Sequence, residues 1–177
     1  MWPIGHLAIG YILYAVSTRL RFDEEPADGP VLVVLLGSLF PDLVDKPLAW
    51  YLDVLPTGRT LAHSLLVLVP LCTAVYLVSR YYDRAEYGIA FAIGALSHSL
   101  VDALPVLWDD EATADFLLWP YWSVELYDES GPPAVTELLV ESLFQPYFLS
   151  EFVLLVIALV LWRRHDYPGL SLLGRLR

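Results

Sequence analysis

Five apolar segments, separated by stretches that hold nearly all the charge, are the feature that most constrains how this chain can fold. They cover roughly residues 3–18, 31–45, 61–79, 87–107 and 147–162. Hydrophobic residues make up 57% of the 177 residues and the mean hydropathy is +0.56, which exceeds what a soluble domain needs. The sequence therefore predicts an all-α, polytopic membrane bundle of about five helices that forms a single domain over residues 1–177.

The segment between the fourth and fifth apolar runs has a different composition. Residues 109–146 are too polar to cross a membrane and too aromatic to form a plain linker. We therefore expect this segment to cap one face of the bundle. Because Trp119, Tyr121 and Trp122 suit a membrane–water interface, we also expect them to contact an amphipathic substrate.

The basic residues predict an orientation for such a bundle. With five crossings, one set of loops holds eight arginines and the other holds only Lys46 and Arg59. Since cytoplasmic loops are enriched in basic residues, the sequence predicts an integral protein of the cell membrane with its N-terminus outside and its C-terminus in the cytoplasm. The net charge of −11 argues against nucleic acid as a partner and leaves membrane lipids as the expected one.

Six histidine and aspartate residues interrupt the apolar segments at a similar predicted depth: His6, Asp42, Asp45, His63, His98 and Asp102. Imidazole nitrogens and carboxylate oxygens are ligands of divalent zinc, manganese and iron, and a cation offsets the cost of burying carboxylates. His98 and Asp102 lie four residues apart and project from one helix face. The pattern predicts a divalent metal site, with a purely structural polar network as the alternative.

The motifs around these residues resemble a known family. The segments "GHLAIG", "LFPDLVDKP", "GRTLAHSLL" and "SHSLVDAL" within the first 105 residues are similar to the YdjM-like family of membrane-bound proteins assigned as metal-dependent hydrolases. That family is in turn similar to the all-helical zinc-dependent phospholipase C and nuclease P1 superfamily. The resemblance implies zinc as the metal.

The resemblance also implies a ligand set. Asp42 or Asp45 would hold one ion together with His63, His98 and Asp102, and His6 would hold a second ion with a shared Asp102. The chain departs from the family pattern in two places. Lys46 follows the second aspartate where family members carry a histidine, and one HxxxD pair is present rather than two. We therefore expect one or two ions.

A bound divalent cation acidifies a water molecule and polarises a phosphoryl or acyl oxygen. We therefore expect a metal-dependent hydrolase that acts on a phosphoester or lipid-linked substrate at the outer membrane–water interface. Whichever of Asp42 and Asp45 does not bind the metal is the expected base, and Arg59 is expected to hold an anionic substrate. An ion or metal transporter and a non-catalytic, metal-stabilised protein remain the alternatives.

Overall fold

The computed structural model describes residues 1–124 and 146–171, and every regular element within these ranges is helical. Five α-helices, α1 to α5, cover Pro3–Phe22, Asp28–Trp50, Leu65–Tyr81, Ala85–Asp102 and Pro146–Arg164. Two short 3-10 helices, Leu104–Leu107 and Asp115–Leu118, follow α4. The all-α class and the five helices agree with the sequence prediction.

The prediction of a polytopic membrane bundle is wrong. None of the helices in the described ranges combines the length and the apolar character that a membrane crossing requires. Charged residues interrupt the apolar runs, as Asp42, Asp45 and Lys46 do in the second half of α2. The predicted orientation of the termini was inferred from loops between crossings, so it has no support from the structure.

Helix α4 lies at the centre of the bundle and contacts α1, α2 and α3, while α5 packs against α1. One apolar cluster joins α1, α2, α4 and α5 around Tyr14, Val34 and Ala90, which are almost completely buried. A second cluster joins α3 to α4 through Leu68 and Ala95. The small residues on α4 let three neighbouring helices approach it closely, since backbones can come together only where side chains are small.

Helices α2 and α4 approach one another closely at two glycines. A methyl group at Gly94 of α4 would lie 2.3 Å from the backbone oxygen of Val34, and one at Gly37 of α2 would lie 2.7 Å from the backbone oxygen of Phe91. Both glycines are therefore required by the packing. This contact sets the register of the two helices and brings His98 against the backbone of α2.

The connection between α2 and α3 is irregular, and α3 begins at Leu65 rather than near residue 61. Ser64 caps α3 by accepting a hydrogen bond from the Leu66 N–H at 3.2 Å. The same hydroxyl donates to the Trp119 carbonyl at 2.6 Å, which ties the segment after α4 to the start of α3. Residues 125–145, most of the predicted cap, lie outside the described ranges.

The glycine contact generates a stability prediction. Gly94→Ala should lower the free energy of unfolding by about 2 kcal/mol, because the added methyl group overlaps backbone atoms that cannot move independently. The expected change in melting temperature is about 4–8 °C. Gly58→Ala is the matched control, since its methyl group would meet only the side chains of Lys46 and Trp50. Equal melting temperatures for the two variants would contradict the proposed close approach.

Candidate metal centre

The residues that the sequence singled out come together at one end of the bundle. His6 lies in the first turns of α1, Asp42 and Asp45 in the second half of α2, and His98 and Asp102 in the last turns of α4. His63 comes from the connection before α3. Four separate parts of the chain therefore supply the cluster, and its residues are almost fully buried except for Asp42, whose side chain is 11% exposed.

Asp45 organises the connection that carries His63. Its carboxylate accepts hydrogen bonds from the backbone N–H groups of Thr60 at 2.8 Å, Ala62 at 2.8 Å and His63 at 3.2 Å. It also accepts one from Nδ1 of the His63 ring at 2.8 Å. Both oxygens of Asp45 are thus engaged by N–H donors. These contacts favour a positioning role for Asp45 and leave Asp42 as the better-placed ligand.

The hydrogen bonds of His63 and His98 fix the tautomers of both rings. Nδ1 of His63 faces the Asp45 carboxylate, and Nδ1 of His98 lies 2.6 Å from the backbone oxygen of Ser38. Because each partner can only accept, each Nδ1 carries the hydrogen. In the neutral rings both Nε2 atoms therefore present lone pairs. This arrangement is the one in which histidines bind metals, with the second nitrogen held by a carboxylate or carbonyl.

The two Nε2 lone pairs point at the same place. Nε2 of His63 and Nε2 of His98 are 3.1 Å apart, with no hydrogen between them in the neutral tautomers. Burial lowers the pKa of His63, although Asp45 opposes that shift, so a shared proton is disfavoured. A cation between the two atoms would remove the repulsion between their lone pairs.

Asp42 supplies a third atom at the same place. Its Oδ1 lies 3.6 Å from each of the two Nε2 atoms and is buried without a hydrogen-bond partner among the described residues. A tetrahedral ion with ligands at about 2.0–2.1 Å separates those ligands by about 3.3 Å, close to the three distances found here. These buried side chains could therefore hold a metal ion without rearrangement of the helices.

A second group shares His98 with the first. His6, His98 and Asp102 also offer ligand atoms close to one another. The rings of His6 and His98 stack with centroids 3.7 Å apart. Nε2 of His6 lies 3.2 Å from Oδ1 of Asp102, but neither ring nitrogen of His6 makes an aligned hydrogen bond with a described residue. Burial lowers the pKa of His6 to about 4, so the ring is neutral and able to bind a cation.

Cationic groups contact both Asp42 and Asp102, and one of them, the N-terminal ammonium of Met1, is buried 2.9 Å from Oδ1 of Asp102. Burial alone would raise the pKa of Asp102, but His6 and Arg59 hold it below its usual range. Arg59 Nε lies 2.9 Å from Oδ2 of Asp102. Burial likewise opposes ionisation of Asp42, and the neighbouring His98 and Lys46 hold its pKa below the usual range. Both carboxylates are therefore ionised at neutral pH.

Three contributors to the cluster were missed by the sequence reasoning: Lys46, the Ser38 carbonyl and the N-terminal ammonium of Met1, which lies 2.9 Å from Oδ1 of Asp102. Lys46 binds Oδ2 of Asp42 at 2.6 Å, and its position four residues after Asp42 is a signal that could have identified the pair. The Ser38 carbonyl accepts a hydrogen bond from the His98 ring. The sequence gives no comparable signal for this contact, because every residue type has a backbone carbonyl. The predicted substrate contacts Trp119, Tyr121 and Trp122 remain predictions, and Tyr121 is 80% exposed.

The fold and the cluster define an all-α helical bundle with buried His/Asp groups that could hold a metal ion. The chain belongs to the YdjM inner membrane protein family, whose family model matches residues 1–165. That match confirms the family resemblance expected from the motifs. No curated protein and no solved structure matches the chain.

The shared position of His98 generates a prediction about metal content. His98→Ala should remove nearly all bound metal, because His98 belongs to both groups, and His6→Ala should remove at most one ion. Asp102→Asn should lower metal content at least as much as His98→Ala if the carboxylate charge is shared between two ions. Elemental analysis of the purified variants measures these differences.

Cys72→Ala is the control for adventitious thiol binding, since Cys72 is buried in α3 away from the cluster. The metal site would be contradicted if the wild-type protein held no metal and if chelator did not change its melting temperature. In that case the cluster is a purely structural polar network, in which Asp102 pairs with Arg59 and with the N-terminal ammonium of Met1.

Asp45→Asn tests the positioning role of Asp45. The amide nitrogen would face N–H donors, so we expect a loss of about 2–4 kcal/mol in the free energy of unfolding. Metal affinity should fall by about 10–100-fold, because the His63 ring loses the group that orients it. Asp110→Asn, at an exposed position, is the matched control. Unchanged stability and metal affinity in Asp45→Asn would show that the carboxylate does not hold this connection.

Proposed function

We propose that this protein is a metal-dependent hydrolase in which Asp42 Oδ1, His63 Nε2 and His98 Nε2 hold a zinc ion. The observation that carries the proposal is the pair of Nε2 lone pairs 3.1 Å apart, beside a buried carboxylate oxygen that has no hydrogen-bond partner among the described residues. Zinc suits this set because it accepts imidazole and carboxylate ligands in tetrahedral geometry. Similarity to the phospholipase C and nuclease P1 superfamily is part of this proposal.

The chemistry divides between the ion and the chain. When bound, such an ion lowers the pKa of a water molecule toward neutrality and polarises a phosphoryl or acyl oxygen. Asp45 and the Ser38 carbonyl hold the two imidazole rings so that their Nε2 atoms converge. Asp102 Oδ2 lies 3.9 Å from each Nε2 and would supply a negative charge near a bound ion. In this proposal Asp42 is a ligand, and Asp45 positions His63.

The substrate that we propose is a phosphoester, including lipid-linked phosphoesters, with membrane lipids as partners. Membership of an inner membrane protein family supports a substrate drawn from the membrane. The exposed aromatic side chains of Tyr121 and Trp122 follow the segment that contacts His63 through Phe116, which supports an amphipathic substrate. Arg59, which is 43% exposed, would contact an anionic group of that substrate.

One further observation favours a non-catalytic role as the second candidate. The cluster joins α1, α2, α4 and the connection before α3, so an ion held there would stabilise the tertiary structure by cross-linking separate parts of the chain. In that case metal binding and stability are linked, but no turnover accompanies them. Turnover separates the two candidates.

The hydrolase proposal is tested with the zinc-loaded protein and chromogenic phosphomonoester and phosphodiester substrates. We expect turnover that chelator abolishes and added zinc restores. His63→Ala should lower the rate by about 10²-fold or more, because the variant loses a proposed ligand. Cys72→Ala should match the wild type. Zinc-dependent melting without turnover on any ester would support the non-catalytic candidate and contradict the hydrolase.

A further inference from the structure

We propose that Lys46 and Arg59 form a phosphate-binding pair at the solvent-exposed edge of the metal centre. This inference rests on the proposed function of that site, and it specifies the anion that the site recognises. Four features of the described residues support it: where the cluster meets solvent, how the two cations are anchored, how the connection that carries Arg59 packs on Lys46, and how the charges balance.

The cluster meets solvent at the two cations. The side chains of His63, His98 and Asp102 are 0–2% exposed, whereas those of Lys46 and Arg59 are 31% and 43% exposed. A molecule that approaches the buried carboxylates and imidazoles from this side therefore meets a lysine and an arginine first. Since partly exposed cations attract anions over several ångströms, this edge favours a negatively charged group.

Each cation is anchored to a different carboxylate of the cluster. Lys46 Nζ lies 2.6 Å from Oδ2 of Asp42, and Arg59 Nε lies 2.9 Å from Oδ2 of Asp102. Both carboxylates also face the Nε2 atoms of His63 and His98, so the two cations flank one point. The anchors hold the cationic groups in place before any ligand arrives, which lowers the entropic cost of binding an anion.

Packing brings the backbone next to Arg59 against the Lys46 side chain. Gly58, which directly precedes Arg59, lies on Lys46 and Trp50, because a methyl group there would be 3.2 Å from Lys46 Cγ and 3.5 Å from two atoms of the Trp50 ring. The Lys46 ammonium lies over the Trp50 ring, 5.6 Å from its centroid. The connection before α3 therefore runs across the lysine side chain at the residue that precedes Arg59.

The charge balance predicts that anion binding by Lys46 and Arg59 depends on the metal. Three carboxylates of the cluster, Asp42, Asp45 and Asp102, oppose three cationic groups that contact two of them: Lys46, Arg59 and the N-terminal ammonium of Met1. This set is neutral without a divalent ion and would carry two excess positive charges with it. A divalent ion would also draw Asp42 and Asp102 toward itself and loosen their hold on Lys46 and Arg59. Anion binding should therefore depend on metal.

Phosphate is the anion that best matches this arrangement. A lysine contributes a point charge and an arginine contributes planar N–H donors, and the two together suit a tetrahedral oxyanion that carries two negative charges. A carboxylate offers one charge and two oxygens, so it cannot use both cations and the ion equally well. The shared chemistry is a terminal phosphate, whether on a lipid headgroup or on a water-soluble ester.

The test measures inorganic phosphate binding by calorimetry to the zinc-loaded protein, with acetate as the competing anion. Lys46→Gln and Arg59→Gln should each weaken phosphate binding about tenfold, and the double variant about 100-fold, with zinc content unchanged. Arg80→Gln, an exposed arginine on α3, should bind phosphate like the wild type. Chelator should abolish phosphate binding in every variant.

Two further probes identify the source of the phosphate. The two probes compare the affinity for short-chain phosphatidic acid with the affinity for glycerol 3-phosphate. Tighter binding of phosphatidic acid would indicate a lipid substrate, and equal affinities for the two compounds would indicate a water-soluble substrate. Either result supports the pair if the double variant loses both ligands. Equal phosphate affinity in the wild type and the double variant, or acetate bound as tightly as phosphate, would overturn the proposal.

These measurements separate the inference from the proposed hydrolase activity. Suppose that phosphate binding depends on Lys46, Arg59 and zinc but that no ester is hydrolysed. This result would support the anion site and contradict only the proposed hydrolase activity. If turnover depends on zinc but neither substitution changes the phosphate affinity, only the anion site is contradicted.

Discussion

The buried carboxylate of Asp45 is the interaction on which the metal centre depends. It gathers three backbone N–H groups and the ring of His63, and so gives the connection between α2 and α3 a defined path. An ionised carboxylate in this position would be costly without such donors, and the donors would be unsatisfied without the carboxylate. The same contact aims Nε2 of His63 at His98, while the glycine contact between α2 and α4 holds His98 in register.

Electrostatic balance explains why the cluster is suited to a cation. Asp42 and Asp102 are kept ionised by Lys46 and Arg59 on the solvent side, and Oδ1 of Asp102 also meets the buried N-terminal ammonium of Met1 at 2.9 Å. The place that Oδ1 of Asp42 shares with Nε2 of His63 and Nε2 of His98 is the part of the cluster that has no cationic partner among the described residues. A divalent ion bound there would leave the cluster with an excess of positive charge, and this is the physical link between metal binding and the anion recognition that we propose at the edge.

Part of this arrangement could be predicted from the sequence. The order of apolar segments predicts helices that alternate in direction, and this alone brings the start of α1 and the ends of α2 and α4 to one end of a bundle. The spacing of His98 and Asp102 then predicts a shared face. The membrane bundle was wrongly predicted because hydropathy averaged over segments hides charged residues such as Asp42, Asp45 and Lys46, which lie inside α2.

The division of roles between Asp42 and Asp45 could not be predicted, because it depends on contacts between residues far apart in the chain. Asp45 meets N–H groups 15–18 residues away, and the Ser38 carbonyl meets His98 across 60 residues. Such contacts depend on how the helices pack, for which residue types give only weak signals. The predicted substrate contacts have the same difficulty, since the segment after Trp122 must be placed by tertiary packing.

The central claim is that His63 and His98 direct two Nε2 lone pairs at one cation, and nitrogen NMR of histidine-labelled protein tests it most directly. We expect Nδ1–H tautomers for both rings in the metal-free protein, and a shift of both Nε2 resonances when zinc is added. His165, whose Nδ1 lies 2.8 Å from the Tyr11 hydroxyl outside the cluster, serves as the internal control and should not respond. The account would be contradicted by an Nε2–H tautomer in either ring, or by Nε2 resonances that do not shift when zinc is added.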